Sequence, residues 1–151
     1  MAHSPGLPAP TRTSYALLTG ASQGIGAAMA RDLAARGYNV ILVARREEVL
    51  ESIAAELRSR HEVDAIALAA DLSRVIDFMS AKEISIIVNS AGIASFGKFM
   101  DQDWDYETRQ FDLNAKAVHR LTRAALDQML PRRSGAICNV GSAAGNVSIP
   151  N

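Results

Sequence analysis

The chain has 151 residues and a formal net charge of +0, with 16 basic and 16 acidic side chains. This length is typical of one domain with a sizeable core, and the balanced charge gives no electrostatic basis for binding nucleic acid or an anionic membrane. No apolar stretch approaches the roughly 20 residues of a membrane-spanning helix, and the single cysteine, Cys138, excludes an internal disulfide and is typical of a cytoplasmic, reducing compartment.

Five short apolar runs alternate with helical patterns along the chain. Residues 1–14 contain three of the five prolines and no apolar run, so we expect a flexible tail there. The apolar runs predict strands at 15–19, 39–44, 64–70, 85–89 and 136–140. Helical spacing of apolar residues predicts helices at 25–36, 46–60, 73–82 and 103–130.

This alternation of strands and helices predicts an α/β fold with a doubly wound parallel sheet over residues 15–151. The run 39–44 is apolar almost throughout, which indicates a strand covered on both faces. In the fourth helix, the side chains expected to face the core are Phe111, Val118, Leu121, Ala125 and Met129.

A glycine-rich turn, TGASQGIG at residues 19–26, follows the first predicted strand directly. Gly20, Gly24 and Gly26 allow unusual backbone angles and a close approach of a ligand to the main chain. The helix that follows directs free N–H groups and its positive dipole end at a pyrophosphate. An ordinary tight turn is the alternative, but the position between a first strand and a helix favours dinucleotide binding.

Five motifs in chain order resemble the short-chain dehydrogenase/reductase family over residues 15–151. They are the glycine turn, the pair Asp71-Leu72, the stretch Asn89-Ser90-Ala91-Gly92 with Ser90 in place of a second Asn, Asn114, and Ser142. The resemblance implies a Rossmann-type sheet, of which this chain carries about five of the family's seven strands.

The resemblance also implies roles for single residues. Asn114 would be a helix-distorting catalytic residue that supports a proton relay, and Ser142 would be catalytic by orienting the substrate oxygen. The bland alternatives are a satisfied structural amide at Asn114 and a turn-stabilising hydroxyl at Ser142. The expected cofactor-binding residues are Gly20, Ser22, Gln23, Gly24, Ile25, Gly26, Arg45, Arg46, Asp71, Leu72, Asn89, Ala91 and Gly92.

The end of the second strand indicates which dinucleotide is preferred. Folds that prefer NAD carry an acid there for the ribose 2′-hydroxyl, whereas an Arg nearby accommodates the 2′-phosphate of NADP. Here Ala44 occupies the expected place of the acid and Arg45 follows it. We therefore expect NADP(H), although Arg45 and Arg46 would also suit a solvated helix start, with Glu47 and Glu48 either paired with them or serving the helix dipole.

The predicted function is NADP-dependent hydride transfer between nicotinamide and a small carbonyl compound or secondary alcohol. The family's Tyr-x-x-x-Lys helix would begin just beyond Asn151, so we expect the chain to be a truncated version of a longer enzyme. One alternative is an inactive dinucleotide-binding short form that acts as a sensor or subunit partner. Another alternative is a nonfunctional fragment.

The predicted fifth strand would lie at a bare edge of the sheet in the absence of further strands. It is apolar and lacks charge or proline, which makes it prone to pairing. We therefore expect homo-oligomerisation or association through this edge and the long helix. The three histidines share no metal-ligand spacing with a cysteine or an acid, so no metal site is predicted.

Overall fold

The computed structural model describes residues 6–142 and 145. Five parallel strands form one sheet, in the order β3-β2-β1-β4-β5. The strands are β1 (Ser14–Thr19), β2 (Asn39–Ala44), β3 (Ala65–Ala69), β4 (Glu83–Asn89) and β5 (Ala136–Asn139). This arrangement confirms the predicted doubly wound α/β fold, with strand boundaries within two residues of those expected.

Helices cover both faces of the sheet. The helices are α1 (Gly24–Ala35), α2 (Glu47–His61), α3 (Leu72–Ser80), α4 (Trp104–Phe111) and α5 (Val118–Arg132), with a short 3-10 turn at Phe99–Asp101. A π-helical segment, Asp112–Ala117, joins α4 to α5. The long helical region predicted over 103–130 is therefore confirmed, and the wider turn within it contains Asn114, where the family resemblance implies a helix-distorting Asn.

Successive residues of each central strand enter two different cores. Leu18 and Leu42 pack with α1 and α2 on one face, whereas Leu17 and Ile41 pack with α3 and α5 on the other. All four side chains are fully buried, and each such burial stabilises the fold by about 1.5–3 kcal/mol. Two covered faces explain why the strand sequences are apolar throughout instead of alternating.

The expected buried face of the long helix is correct only in its second half. Leu121, Ala125 and Met129 are buried, but the side chain of Phe111 is 67% exposed. A π-helix inserts one extra residue into the helical repeat, so residues before and after it do not keep a common face. The sequence period of 3.6 could not reveal this change.

Part of the expected flexible tail makes defined contacts. The Tyr38 hydroxyl donates to the carbonyl oxygen of Pro8 at 2.6 Å. The Asn39 side-chain amide donates to the carbonyl oxygens of Thr11 and Arg12. Residues 8–12 therefore lie against the amino end of the sheet, while residues 1–5 lie outside the described part of the chain.

The strand order places a crevice at the carboxyl edge of the sheet. The chain leaves β1 toward one side and β4 toward the other, so their following loops diverge, and this is where ligands bind in open α/β sheets. Within the part of the chain that the structure describes, no helix is long and apolar enough to cross a bilayer.

Candidate functional site: a cleft at the carboxyl edge of the sheet

A cleft of about 1240 Å³ lies at this carboxyl edge. It is bounded by the glycine turn, by the ends of β2 and β3, by the loop after β4, and by α4 with the π-helical segment. The predicted cofactor residues that line it are Gly20, Ser22, Gln23, Gly24, Ile25, Arg45, Arg46, Asp71, Ala91 and Gly92. The tertiary structure thus brings together residues as far apart in the sequence as Gly20 and Gly92.

The glycine turn packs tightly against the loop after β4. A Cβ on Gly20, whose φ is +67°, would lie 2.9 Å from the Ser90 carbonyl oxygen. A Cβ on Gly26 would lie 2.6 Å from the carbonyl oxygen of Gly20 itself. Thr19 adds a polar tie, because its Oγ1 accepts hydrogen bonds from Ser90 N and Ala91 N, both at 3.1 Å. Gly20 and Gly26 are required for this packing.

Gly24, unlike Gly20 and Gly26, faces open space instead of a close backbone contact. Its φ is +57°, and apart from its chain neighbours and the backbone of its own helix, no atom lies within 4 Å of where its Cβ would be. It begins α1, whose N-cap residue Gln23 makes no side-chain cap and whose first turn holds no acidic residue. The N–H groups of that turn are therefore uncompensated, and a phosphate can approach them closely. This open, uncapped helix end fits the pyrophosphate of a dinucleotide.

Arg45 and Arg46 follow β2 and differ in their contacts. Arg45 is exposed and lines the cleft. The Arg46 guanidinium reaches back to the glycine turn, where its Nη2 donates to Gln23 Oε1 at 2.6 Å and to Ser22 Oγ at 3.2 Å. Among the ion pairs of the described residues, none joins either arginine to a glutamate of α2; Glu47 and Glu48 lie in the first turn of that helix, where they suit its dipole.

Asp71 lies at the cleft between β3 and α3. Its Oδ1 accepts a hydrogen bond from Arg74 N at 3.2 Å, so the carboxylate is held at the start of α3 and remains exposed. The side chain of Leu72, predicted to accompany Asp71, lies outside the described part of the structure. Asp71 lines the cleft together with Ala70 and Arg45, where a carboxylate can accept hydrogen bonds from a nucleoside.

Asn89 does not line the cleft but lies buried beneath it. Its Nδ2 donates to Asn139 Oδ1 at 2.8 Å and to Thr122 Oγ1 at 3.3 Å, while its Oδ1 has no hydrogen-bond partner among the described residues. Asn89 thus connects β4 to β5 and α5. The structure gives it a supporting position, whereas Ala91 and Gly92 form the cleft surface.

Asn114 lies in the π-helical segment and holds the loop after β4. Its Nδ2 donates to the Ile93 carbonyl oxygen at 2.7 Å, and its Oδ1 accepts from Ile93 N at 3.1 Å. Asn114 is exposed, although its spacing from Phe111 and Val118 puts it on the helix face that was expected to be buried. Its amide is nevertheless satisfied, since both of its polar atoms pair with one peptide backbone.

Three further side chains hold the same loop and were not predicted to do so. Gln110 Oε1 accepts from Ser95 N at 2.7 Å, and Tyr106 donates through its hydroxyl to the Ala94 carbonyl oxygen at 3.1 Å. Glu107 accepts a hydrogen bond from Ser95 Oγ. Tyr106, Gln110 and Asn114 are spaced by four residues, and this polar stripe was the available signal in the sequence. Trp104, two residues before Tyr106, is 78% exposed.

Ser142 follows β5 at an exposed position. Its carbonyl oxygen accepts a hydrogen bond from Gly145 N at 3.1 Å, as expected for a turn. Val140, two residues before it, lines the cleft. Residues 143, 144 and 146–151 lie outside the described part of the structure. Among the described residues, no group of three His, Cys, Asp or Glu side chains is placed to hold a metal ion.

The sequence of the chain matches a known protein family over most of its length. A family model described as short chain dehydrogenase matches residues 14–151. The chain belongs to this family. It is 33% identical to the very-long-chain 3-oxoacyl-CoA reductase-A of Danio rerio over 93% of this chain and 47% of that protein. The chain therefore spans about half the length of the curated relatives that it matches.

Solved structures of the family superpose on the same fold. A short-chain dehydrogenase from Sphingobium yanoikuyae in complex with NADPH is 37% identical, with a TM-score of 0.85 over 89% of this chain and 55% of that one. An NAD+-bound xylitol dehydrogenase is 28% identical, with a TM-score of 0.83 over 91% of this chain and 56% of that one. These neighbours carry one or the other nicotinamide dinucleotide.

Proposed function

We propose that the cleft binds a nicotinamide dinucleotide, with NADP(H) preferred, as the cofactor half of an oxidoreductase that interconverts a carbonyl compound and a secondary alcohol. The observation that carries this proposal is the uncapped N-terminus of α1, at which Gly24 leaves open space beside uncompensated N–H groups. The dinucleotides named for the two solved relatives support it. Cysteine usage supports a cytoplasmic location.

Each part of the cleft would hold a different part of the cofactor. The N–H groups at the start of α1 would bind the pyrophosphate, as backbone donors at helix N-termini do. Asp71 would contact the adenine ring, and the backbone of Ala91 and Gly92 would border the ribose. When bound, the nicotinamide ring would supply or accept the hydride.

The preference for NADP(H) is supported by the charge at the end of β2. Ala44 occupies the position at which NAD-preferring folds carry an acid. Such an acid would hold the ribose 2′-hydroxyl of NAD and would repel the 2′-phosphate of NADP. Arg45 lines the cleft without a carboxylate partner among the described residues, so its guanidinium is available for a charge-assisted contact. A phosphate would gain this contact, whereas a hydroxyl would gain far less.

The catalytic end of the site would use two residues of this chain. Ser142 would hydrogen-bond the substrate oxygen, and Asn114 would keep the loop at Ile93 in place while supporting proton transfer. The Tyr-x-x-x-Lys pattern that the family resemblance implies does not occur among these 151 residues. Binding, and not turnover, is therefore the measurement that tests this chain.

The test compares NADPH with NADH by isothermal titration calorimetry. We expect the 151-residue chain to bind NADPH at least about tenfold more tightly than NADH, which corresponds to a difference of roughly 1.4 kcal/mol in binding free energy.

Arg45→Ala should weaken NADPH binding by about tenfold and leave NADH binding nearly unchanged, because only NADPH has a 2′-phosphate. Arg123→Ala is the control, since Arg123 pairs with Asp127 on α5, away from the cleft. Equal affinities for the two dinucleotides would refute the preference, and no binding of either would refute the function.

A further inference from the structure

The glycine turn is attached to the β2–α2 corner at two points. At its base, Ala21 N donates to the Val43 carbonyl oxygen at 3.2 Å. At its tip, Arg46 Nη2 donates to both Gln23 Oε1 and Ser22 Oγ. A guanidinium nitrogen of this kind carries two hydrogens, so one Nη2 can satisfy both acceptors at once. The side chain of Arg46 therefore spans the corner and clamps two adjacent residues of the turn.

This clamp controls where the side chain of Gln23 lies. Gln23 is the N-cap residue of α1, a position at which a side-chain oxygen can accept hydrogen bonds from the free N–H groups of the first turn. Here its oxygen is engaged by Arg46, and no side-chain cap forms. The backbone of Arg46 is fixed as well, because its carbonyl oxygen accepts from Leu50 N at 3.2 Å in the first turn of α2. Arg46 thus keeps the helix end open for a ligand.

We infer that Arg46 is a positioning residue that holds the glycine turn in its binding shape, and that Arg45 alone distinguishes NADP(H) from NAD(H). This inference rests on the proposed function, since it assigns two neighbouring arginines of the same site to separate tasks. Arg46 acts through Ser22 and Gln23, on the part of the cofactor common to both dinucleotides. Arg45 has no such contact with the turn and faces the cleft.

The two roles predict different binding patterns. Loss of a positioning residue should weaken NADPH and NADH by the same factor, about three- to tenfold for an exposed charged hydrogen bond. Loss of a 2′-phosphate ligand should weaken NADPH alone. The ratio of the two dissociation constants therefore decides between the roles. A general loss of stability would weaken the binding of both dinucleotides and leave this ratio unchanged, whereas loss of a 2′-phosphate ligand would change it.

The experiment measures both dissociation constants for Arg46→Ala, Gln23→Met and the double variant, with Arg123→Ala as the control. We expect parallel losses for the two single variants, no further loss in the double variant, and an unchanged ratio of NADH to NADPH affinity. Arg46→Ala that loses NADPH but keeps NADH would overturn the inference, as would wild-type affinity for both dinucleotides. Thermal unfolding of each variant checks that the fold is retained.

A second measurement uses the protein without a nucleotide, and it separates this inference from the proposed function. In two-dimensional NMR spectra, Arg46→Ala should shift or broaden the backbone amide signals of Gly24 and Gly26, and Gln23→Met should do the same. Unchanged signals in both variants would show that the clamp does not hold the turn. Absence of dinucleotide binding by the wild type, with these signals shifted, would refute the proposed function and leave the positioning role of Arg46 intact.

Discussion

At the scale of single residues, a polar cluster at the amino end of the sheet shows how a buried tyrosine is held. The Tyr15 hydroxyl donates to Asp64 Oδ2 at 2.6 Å, and the Lys82 ammonium lies 5.1 Å from the centre of its ring. The hydrogen bond to Asp64, burial and the negative charge of Asp64 together raise the pKa of Tyr15 from 10.0 to about 12. The folded state therefore favours the neutral phenol.

This pKa shift predicts a specific loss of stability in alkaline solution. Tyr15 ionises near its ordinary pKa of 10.0 in the unfolded chain but only near about 12 in the folded one. Its contribution is therefore complete below pH 10.0 and is lost as the pH rises toward 12. Urea unfolding across this range should show a shallower decline for Tyr15→Phe than for the wild type, although the variant is less stable at neutral pH. Parallel declines for the two proteins would contradict the assignment.

At the scale of elements, the junction of α4, the π-helical segment and α5 positions the loop after β4. Side chains of α4 and the π-helical segment form hydrogen bonds with the backbone of residues 93–95 and hold this loop in place. Sequence periodicity correctly indicated a helix over most of this region. It missed the wider turn, because a π-helical segment has no composition of its own and is selected by the contacts that it makes possible.

Replacement of Asn114 tests this element directly. Asn114→Ala should remove both hydrogen bonds to Ile93 and lower the free energy of unfolding by about 1–2 kcal/mol. The Ile93 amide should then exchange its hydrogen faster with solvent. Lys116→Ala is the matched control from the same segment, because its ion pair with Asp112 is exposed and contributes under about 0.5 kcal/mol. Equal protection of the Ile93 amide in the wild type and Asn114→Ala would refute the positioning role.

At the scale of the whole molecule, the described sheet ends at β5 on one side and β3 on the other. Residues Ala136, Ile137 and Cys138 of β5 are only half-buried, and Leu130 at the end of α5 is 63% exposed. Exposed apolar side chains beside an unpaired strand edge favour contact with another chain. Association through this edge and the long helix remains a prediction from the sequence.

Sedimentation velocity over a wide range of protein concentration tests that prediction. We expect the apparent mass to rise with concentration from the 16.2 kDa of one chain. Leu130→Lys should reduce this rise because it places a charge on the exposed apolar surface. Arg123→Ala, on the same helix but in a polar setting, should behave like the wild type. A constant mass of one chain at every concentration would refute the association.

The sequence by itself determined the layer structure and indicated where a dinucleotide would bind. Strands that are apolar on both faces require helices on both sides, and the glycine turn after β1 has the pattern that phosphate binding needs. These features are local, because backbone freedom and burial leave their mark on neighbouring residues.

Only the tertiary structure decided which residues of the site contact one another. It brought the Arg46 guanidinium to the glycine turn, placed Asn89 beneath the surface of the cleft, and paired Asn114 with Ile93. Such contacts depend on distances between segments far apart in the chain. Arg45 and Arg46 are adjacent and identical, so the sequence does not show which of them reaches the glycine turn.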